Sequence, residues 1–285
     1  MINKLSIGTA QFGFDYGIND KNQQVSQQMI TQILNFCSRK NIRSLDTAKS
    51  YYDSELNIGK YFKNHSCKGW DITTKVDHLR EPIKDQLVNS EKKIKSRPST
   101  ILAHSIDLFK TKSFQNQTKD LKQKNTELKI GVSVYTNNEI KRALEHKENL
   151  DVIQLPLNIL DNRLIKKGAL KKVNSLGIEV HARSIFLKGL LYLSKNELGI
   201  RFKSVIQSLN YLKSIIKKED LTLAEYSLLF VASRKEITKV VIGVENLVQL
   251  KEHYSTLQKN VDPKIFFDAL LLDFDDELIL NPSLW

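Results

Sequence analysis

"KLSIGTAQFG", residues 4–13, is a short apolar run ending in a glycine, with a second glycine five residues on. Its reading separates two architectures. A first strand that leads into G-x-G-x-x-G opens a doubly wound, dinucleotide-binding sheet, and one that leads into G-x-x-x-x-G-K opens a phosphate loop. Here the glycines stand at 8 and 13, and Phe14 follows where the phosphate loop needs lysine. Neither pattern is met. The run is a plain strand, and the fold is decided by what repeats after it.

Short β-like runs recur along the chain: "KLSIG" (4–8), "RSLD" (43–46), "WDITTK" (70–75), "TILAH" (100–104), "KIGVSV" (129–134), "DVIQL" (151–155), "IEVHAR" (178–183) and "KVVIG" (239–243). Amphipathic stretches separate them. In 25–39, Met29, Ile30, Ile33, Leu34 and Cys37 fall on one helix face, and Ile83, Leu87 and Ile94 do so more loosely. Residues 164–176 read as helix, and 205–233 as two helices broken near "KKEDLT". Alternating strands and helices dictate a parallel sheet. Eight such units fit a closed α/β barrel, the (β/α)8 or TIM-barrel class, better than an open sheet. No Pro/Gly/Ser linker divides the chain, so residues 1–285 read as one barrel domain. Residues 265–285 form an apolar tail, "IFFDALLLDFDDELILNPSLW". If residues 265–279 form a helix, Pro282 stops it. Trp285 is expected to be partly buried against the barrel rather than left in water, either at the bottom or at the mouth, which is slightly favoured.

Bulk properties narrow the partners. The formal charge is +12, but the lysines are spread among acids, as in "SIIKKEDL", and no basic block with interleaved aromatics appears. Nucleic acid is therefore not expected as a partner. The apolar runs fall short of the roughly 20 residues a membrane helix needs, and "MINKLSIGTAQFG" lacks a signal-peptide h-region. Two cysteines, Cys37 and Cys67, form no CxxC pair and no disulfide framework. A reducing cytoplasm is the simplest expectation.

In a (β/α)8 barrel the chemistry sits at the C-terminal strand ends. Those ends read Asp46 with Tyr51 just beyond, Lys75, His104, Ser133, Gln154 and Arg183. Taken singly, each has a plain structural explanation, such as a helix cap, a surface lysine or a core histidine. Together they bring a carboxylate, a phenol, an ammonium and an imidazole to one mouth. A phenol's ordinary pKa is near 10, and a nearby ammonium favours its anion. The ammonium is costly to bury unless a carboxylate pairs with it, and Asp46 supplies one. An imidazole at the next strand end can hold a carbonyl oxygen. Such a set polarises a C=O and protonates it.

"LDTAKSYYDSELNIG" (45–59) resembles the D-T-A-x-x-Y motif of the aldo-keto reductase superfamily. "ITTKV" and "ILAHS" resemble its lysine and histidine strands, and "KIGVSVY", "VIQLPLNILD" and "VVIGVENLVQL" resemble its later cofactor-side motifs. The likeness runs in order over about residues 5–255. It implies a (β/α)8 barrel that reduces carbonyl compounds with NADPH or NADH, without a metal. By position it implies Tyr51 as general acid, Lys75 and Asp46 as its tuning pair, and His104 as carbonyl orienter. Tyr52 falls where the family often has glycine and reads as a rim residue. Many members also begin with a β-hairpin across the barrel bottom; this chain enters "KLSIG" almost directly, so the hairpin is expected to be missing, and a tail packed at the bottom would cover for it.

The same resemblance implies a cofactor side. Ser133 and Gln154 match positions that hold the nicotinamide carboxamide, although Val134 stands where Asn commonly follows. Arg183 replaces the aromatic residue that often stacks on nicotinamide. Lys188 and Gly189 are placed to approach the pyrophosphate, and Gly243 with the helix starting near Asn246 to meet a phosphate. Gln249 and Glu252 match positions near the adenosine end. Glu245 stands where NADPH-preferring members carry a base, which favours a ribose hydroxyl over a phosphate. The expected substrate is a small carbonyl compound. The likeness of "GTAQFGFDYGI" to reductase-like proteins of carbohydrate pathways suggests a sugar or nucleotide-sugar derivative. Two alternatives stand beside this: a cofactor-binding regulatory barrel without useful turnover, and a non-redox barrel enzyme with Lys75 as Schiff-base nucleophile.

Overall fold

The structure is a computed structural model that describes residues 1–18, 23–194 and 196–285. Eight parallel strands close into a barrel in sequence order: Leu5–Gly8 (β1), Ser44–Asp46 (β2), Asp71–Val76 (β3), Thr100–Ala103 (β4), Lys129–Ser133 (β5), Val152–Pro156 (β6), Glu179–Arg183 (β7) and Lys239–Gly243 (β8). β1 pairs with both β2 and β8, which closes the ring. Each expected strand is found within a residue or two of its expected bounds.

Alternation along the strands explains why these runs fold this way. In β3, Ile72, Thr74 and Val76 face the helices, and Thr74 donates to Glu55 Oε1 on the helix Ser54–Phe62. Asp71, Thr73 and Lys75 take the opposite face. The outward apolar residues, among them Ile7, Leu45, Ile72, Ile130, Ile153 and Val180, are fully buried under the helical ring. Each contributes about 1.5–3 kcal/mol through the water it sheds.

The inward face is mostly polar, with Leu102, Val152 and Val241 among its apolar residues. Bonds between strands that are not neighbours can only cross the interior, and several do. Lys239 Nζ of β8 lies 2.6 Å from Asp71 Oδ2 of β3, and Lys129 Nζ of β5 lies 2.6 Å from Glu179 Oε1 of β7. These pairs ring the N-terminal end of the barrel. His181, fully buried just inside them, stands 3.6 Å from Glu179 Oε2. Before β1 lies a single 3-10 turn, Ile2–Lys4, and no hairpin among the described residues.

The tail departs from expectation. No helix spans 265–279. A 3-10 turn, Pro263–Phe266, runs into Phe267–Leu271, and a separate turn of helix covers Glu277–Leu280. The break has a cause outside the tail. Asn162 Nδ2 takes the carbonyls of Ala269 and Leu272, and Lys166 Nζ also donates to Leu272 O, so side chains satisfy the helix end. Asp276 then caps the next turn at Leu278 N. Pro282 does not end a helix over 265–279 but follows the short helical turn Glu277–Leu280 by two residues. It opens the 3-10 turn Pro282–Leu284.

Candidate active site

Asp46 ends β2, and its register partner on β3 is Thr73. Lys75 therefore stands two residues further along and reaches back. Its Nζ donates to Asp46 Oδ1 at 2.5 Å and to Thr47 O at 2.9 Å. Gln154 Nε2 crosses from β6 to Asp46 Oδ2 at 2.6 Å. Lys75 is 2% exposed and Asp46 4%, so both charges are out of water and each depends on the other.

Tyr51 is delivered by the turn after β2. Its N–H donates to Ala48 O, and its carbonyl accepts from Ser54 N at the start of the helix Ser54–Phe62. The short helix Ala10–Gly13 packs directly on this turn. A Cβ at Gly13 would fall 1.8 Å from Tyr51 O, so only glycine permits the approach. Tyr51 Oη lies 3.5 Å from Lys75 Nζ. The His104 ring stands 6.3 Å from the Tyr51 ring, and its Nδ1 is 3.4 Å from Ser50 Oγ. Tyr52 has φ +45° and is 73% exposed. A left-handed backbone explains why glycine suits that place, and the exposure makes Tyr52 a rim residue.

The electrostatics correct one expectation. An ammonium beside Tyr51 was expected to pull the phenol down. Instead burial, reinforced by the Asp46 carboxylate, pushes it well above its ordinary value, and Arg183 is the cation that opposes the rise. The phenol is held protonated, as a proton donor must be. Burial also lowers the Lys75 ammonium, and Asp46 opposes that. Burial, with Lys75 and Arg183 nearby, takes His104 down to about 4, so the imidazole is neutral at neutral pH. If Ser50 donates to Nδ1, the remaining N–H at Nε2 is free to donate to a ligand.

A cavity of about 300 Å³ opens at the C-terminal strand ends. Asp46, Tyr51, His104, Ser133, Gln154, Arg183, Lys188, Gly189, Gly243 and Gln249 all line it. Lys75 lies behind Asp46 rather than in the wall. Glu252 is exposed and is not part of the lining. Arg183 Cζ stands over the Tyr135 ring, 4.1 Å from its centroid, and Arg183 Nε donates to Ser133 Oγ at 3.3 Å. Lys188 Nζ donates to Pro282 O at 2.7 Å and stands between the rings of Tyr16 and Trp285. Arg201 also reaches Leu284 O, and Trp285 Nε1 donates to Leu278 O. The tail thus closes over the mouth, with Pro282 and Ser283 in the wall. At the far side Asn246 caps the helix Leu247–Gln258, and Gln249 Oε1 accepts from Glu245 N.

Two amide oxygens in the wall, Gln11 Oε1 and Gln154 Oε1, are buried without a hydrogen-bond partner. Such acceptors are costly to leave unmet, and a ligand carrying an amide N–H would satisfy one. The carboxamide of a nicotinamide fits that need. Sequence reasoning missed Gln11, Tyr16, Tyr135 and Tyr192, which also line the cavity. Gln11 was within the quoted first run and carried a signal, being polar next to Phe12. The tyrosines stand in βα loops, where no periodicity marks an inward side chain.

The profile of the Aldo/keto reductase family matches residues 4–266. The holo form of an aldo-keto reductase from Bacillus halodurans superposes with a TM-score of 0.75, covering 96% of this chain and 94% of that one at 18% identity. A thermostable aldo-keto reductase solved with the inhibitor epalrestat gives 0.71, covering 94% of each chain, also at 18% identity. At such identities these likenesses speak for the fold. No curated protein matches the sequence. With nearly the whole barrel inside the family profile and the fold shared with its solved members, this chain belongs to the aldo/keto reductase family.

Proposed function

We propose that the chain is an NAD(P)H-dependent reductase of an aldehyde or ketone, a sugar or nucleotide-sugar derivative being the favoured class, with Tyr51 as general acid. The observation that carries this reading is the set Tyr51 Oη–Lys75 Nζ–Asp46 at the cavity floor, with His104 beside it. A bound nicotinamide supplies the hydride. The chain does the rest. His104 donates a hydrogen bond to the carbonyl oxygen and orients it. Tyr51 gives its proton to that oxygen as the carbon is reduced, and the phenolate left behind is stabilised by the Lys75 ammonium 3.5 Å away. Asp46 holds Lys75 in place and charged. Water restores the phenol proton.

Gln154 Oε1 and Ser133 are suited to the carboxamide, Lys188 and Gly189 to the diphosphate, and Gly243 and Gln249 to the adenosine end. Glu245 lines that end with a half-buried carboxylate, which burial shifts upward. A carboxylate accepts from ribose hydroxyls and repels a 2′-phosphate. NADH should therefore bind at least as tightly as NADPH. Fluorescence titration with each at fixed salt checks this, followed by a carbonyl screen with the tighter one. A tenfold preference for NADPH, about 1.4 kcal/mol, would contradict the role given to Glu245. Failure of both to bind at millimolar concentration would end the reductase reading.

A further inference from the structure

We infer that the substrate carries an anionic oxygen group, a carboxylate or a phosphate, a few bonds from its carbonyl, and that Arg183 binds it; the inference rests on the reductase reading above. The resemblance placed Arg183 against the nicotinamide, but its surroundings point elsewhere. Three of its five N–H groups are engaged, with Ser133 Oγ, Ser184 Oγ and Val134 O, and all three acceptors are neutral. Its face is covered by Tyr135. These contacts hold the guanidinium in place and leave two donors uncommitted among the described residues.

Arg183 also forms no ion pair among the described residues. The nearby carboxylate of Asp46 has both oxygens taken, by Lys75 and by Gln154. A partly desolvated cation without a counter-charge is costly, and a rigid planar fork with spare donors matches a carboxylate or phosphate. Position assigns the anion to the substrate. Arg183 bonds Ser133 Oγ at the end of β5, and the register partner of Ser133, Gln154, donates to Asp46, so Arg183 lines the cavity at the end that also holds Tyr51 and His104. Lys188, which also forms no ion pair among the described residues, is held beside the tail instead, on Pro282 O and near the Trp285 ring. The cofactor's diphosphate has Lys188, and the reacting end has Arg183.

The test compares matched carbonyls with the intact chain and saturating cofactor: glyoxylate against glycolaldehyde, and glyceraldehyde 3-phosphate against glyceraldehyde. The readout is the ratio of kcat/KM, anionic over neutral. We expect that ratio to exceed tenfold in one pair, and which pair it is tells carboxylate from phosphate. In Arg183→Gln it should fall by about one to two orders of magnitude, the usual worth of a charged hydrogen bond. Arg183→Lys should keep part of it. Calorimetric titration of oxalate and inorganic phosphate into the cofactor-loaded protein gives a second reading, with binding at least tenfold weaker in Arg183→Gln. A ratio near one, or one that Arg183→Gln leaves unchanged, overturns the inference while the reductase reading stands. A tenfold weaker NADH dissociation constant in Arg183→Gln with the ratio unaltered also overturns it and returns Arg183 to the cofactor. Absence of both cofactor binding and turnover in the natural chain sinks the two together.

Discussion

Lys75 and Asp46 are each buried and each would be insupportable alone. Removing one partner of such a pair typically costs about 3–5 kcal/mol, because the other charge stays behind. Lys75→Met should therefore abolish turnover, lower the denaturation midpoint, and leave cofactor affinity within about threefold, since Lys75 lies behind the wall of the cavity. The double change Asp46→Asn with Lys75→Met should recover part of the lost stability. A Lys75→Met protein that loses cofactor affinity but turns over normally once saturated would place the lysine on the cofactor instead. Tyr51→Phe should cut reduction by at least about two orders of magnitude, the reach of a lost general acid. Tyr52→Phe should be mild, because the Tyr52 ring is out on the rim. The reverse result in steady-state kinetics would exchange their roles. Asp46, Lys75 and His104 were legible because each ends a strand run in a polar group, and Tyr51 was legible only through the D-T-A-x-x-Y resemblance. Gln154 was legible only by position. Its bond to Asp46 spans from β6 to β2, and no sequence spacing encodes a contact across the barrel.

At the scale of elements, the strands announced themselves and the tail did not. Each strand needs only a few alternating residues to be read. A helix over 265–279 is only a conditional expectation of the sequence, and what ends the helical turn at Leu271 is the pair Asn162 and Lys166, about a hundred residues away. The tail's sequence leaves its destination open between bottom and mouth, and it packs at the mouth, where Trp285 meets Phe202 and Pro282 O accepts from Lys188. Deleting residues 281–285 should raise KM for the carbonyl and change cofactor affinity by severalfold, with the melting temperature nearly unaltered, because Ile279 and Leu280, which are fully buried, remain. A lower melting temperature with unchanged kinetics would show the segment to be structural support only.

For the whole molecule, acid is the expected weakness. Burial holds His104 and His253 near 4 against an ordinary 6.5. Between those values the unfolded chain takes up protons that the folded one refuses, so stability is complete above about pH 6.5 and falls as pH drops toward 4. Glu179, held near 2 from 4.5 by His181 and Lys129, extends the loss below that range. Urea unfolding at pH 7.5 and pH 5 should differ by about 2–4 kcal/mol from the two histidines. A flat profile across that interval would show that they are not shielded in solution. Barrel closure was legible from the count of strand–helix units. The charged ring at its N-terminal end was not, because Asp71, Lys129, Glu179 and Lys239 read as ordinary strand-flanking charges until closure brings them face to face.

The placement of Trp285 has an optical consequence. The chain has two tryptophans. Trp70 is buried just before β3 at the N-terminal end of the barrel, packed on Phe62, whereas Trp285 lies at the other end, 5.8 Å from the Lys188 ammonium. Reduced nicotinamide absorbs where indole emits. A dinucleotide that draws Lys188 away from Pro282 would alter the surroundings of Trp285 and quench it by energy transfer, while Trp70 at the far end is affected less. The molecule carries one lamp for its mouth and another for its framework, and replacing Trp70 with phenylalanine would leave the first burning alone.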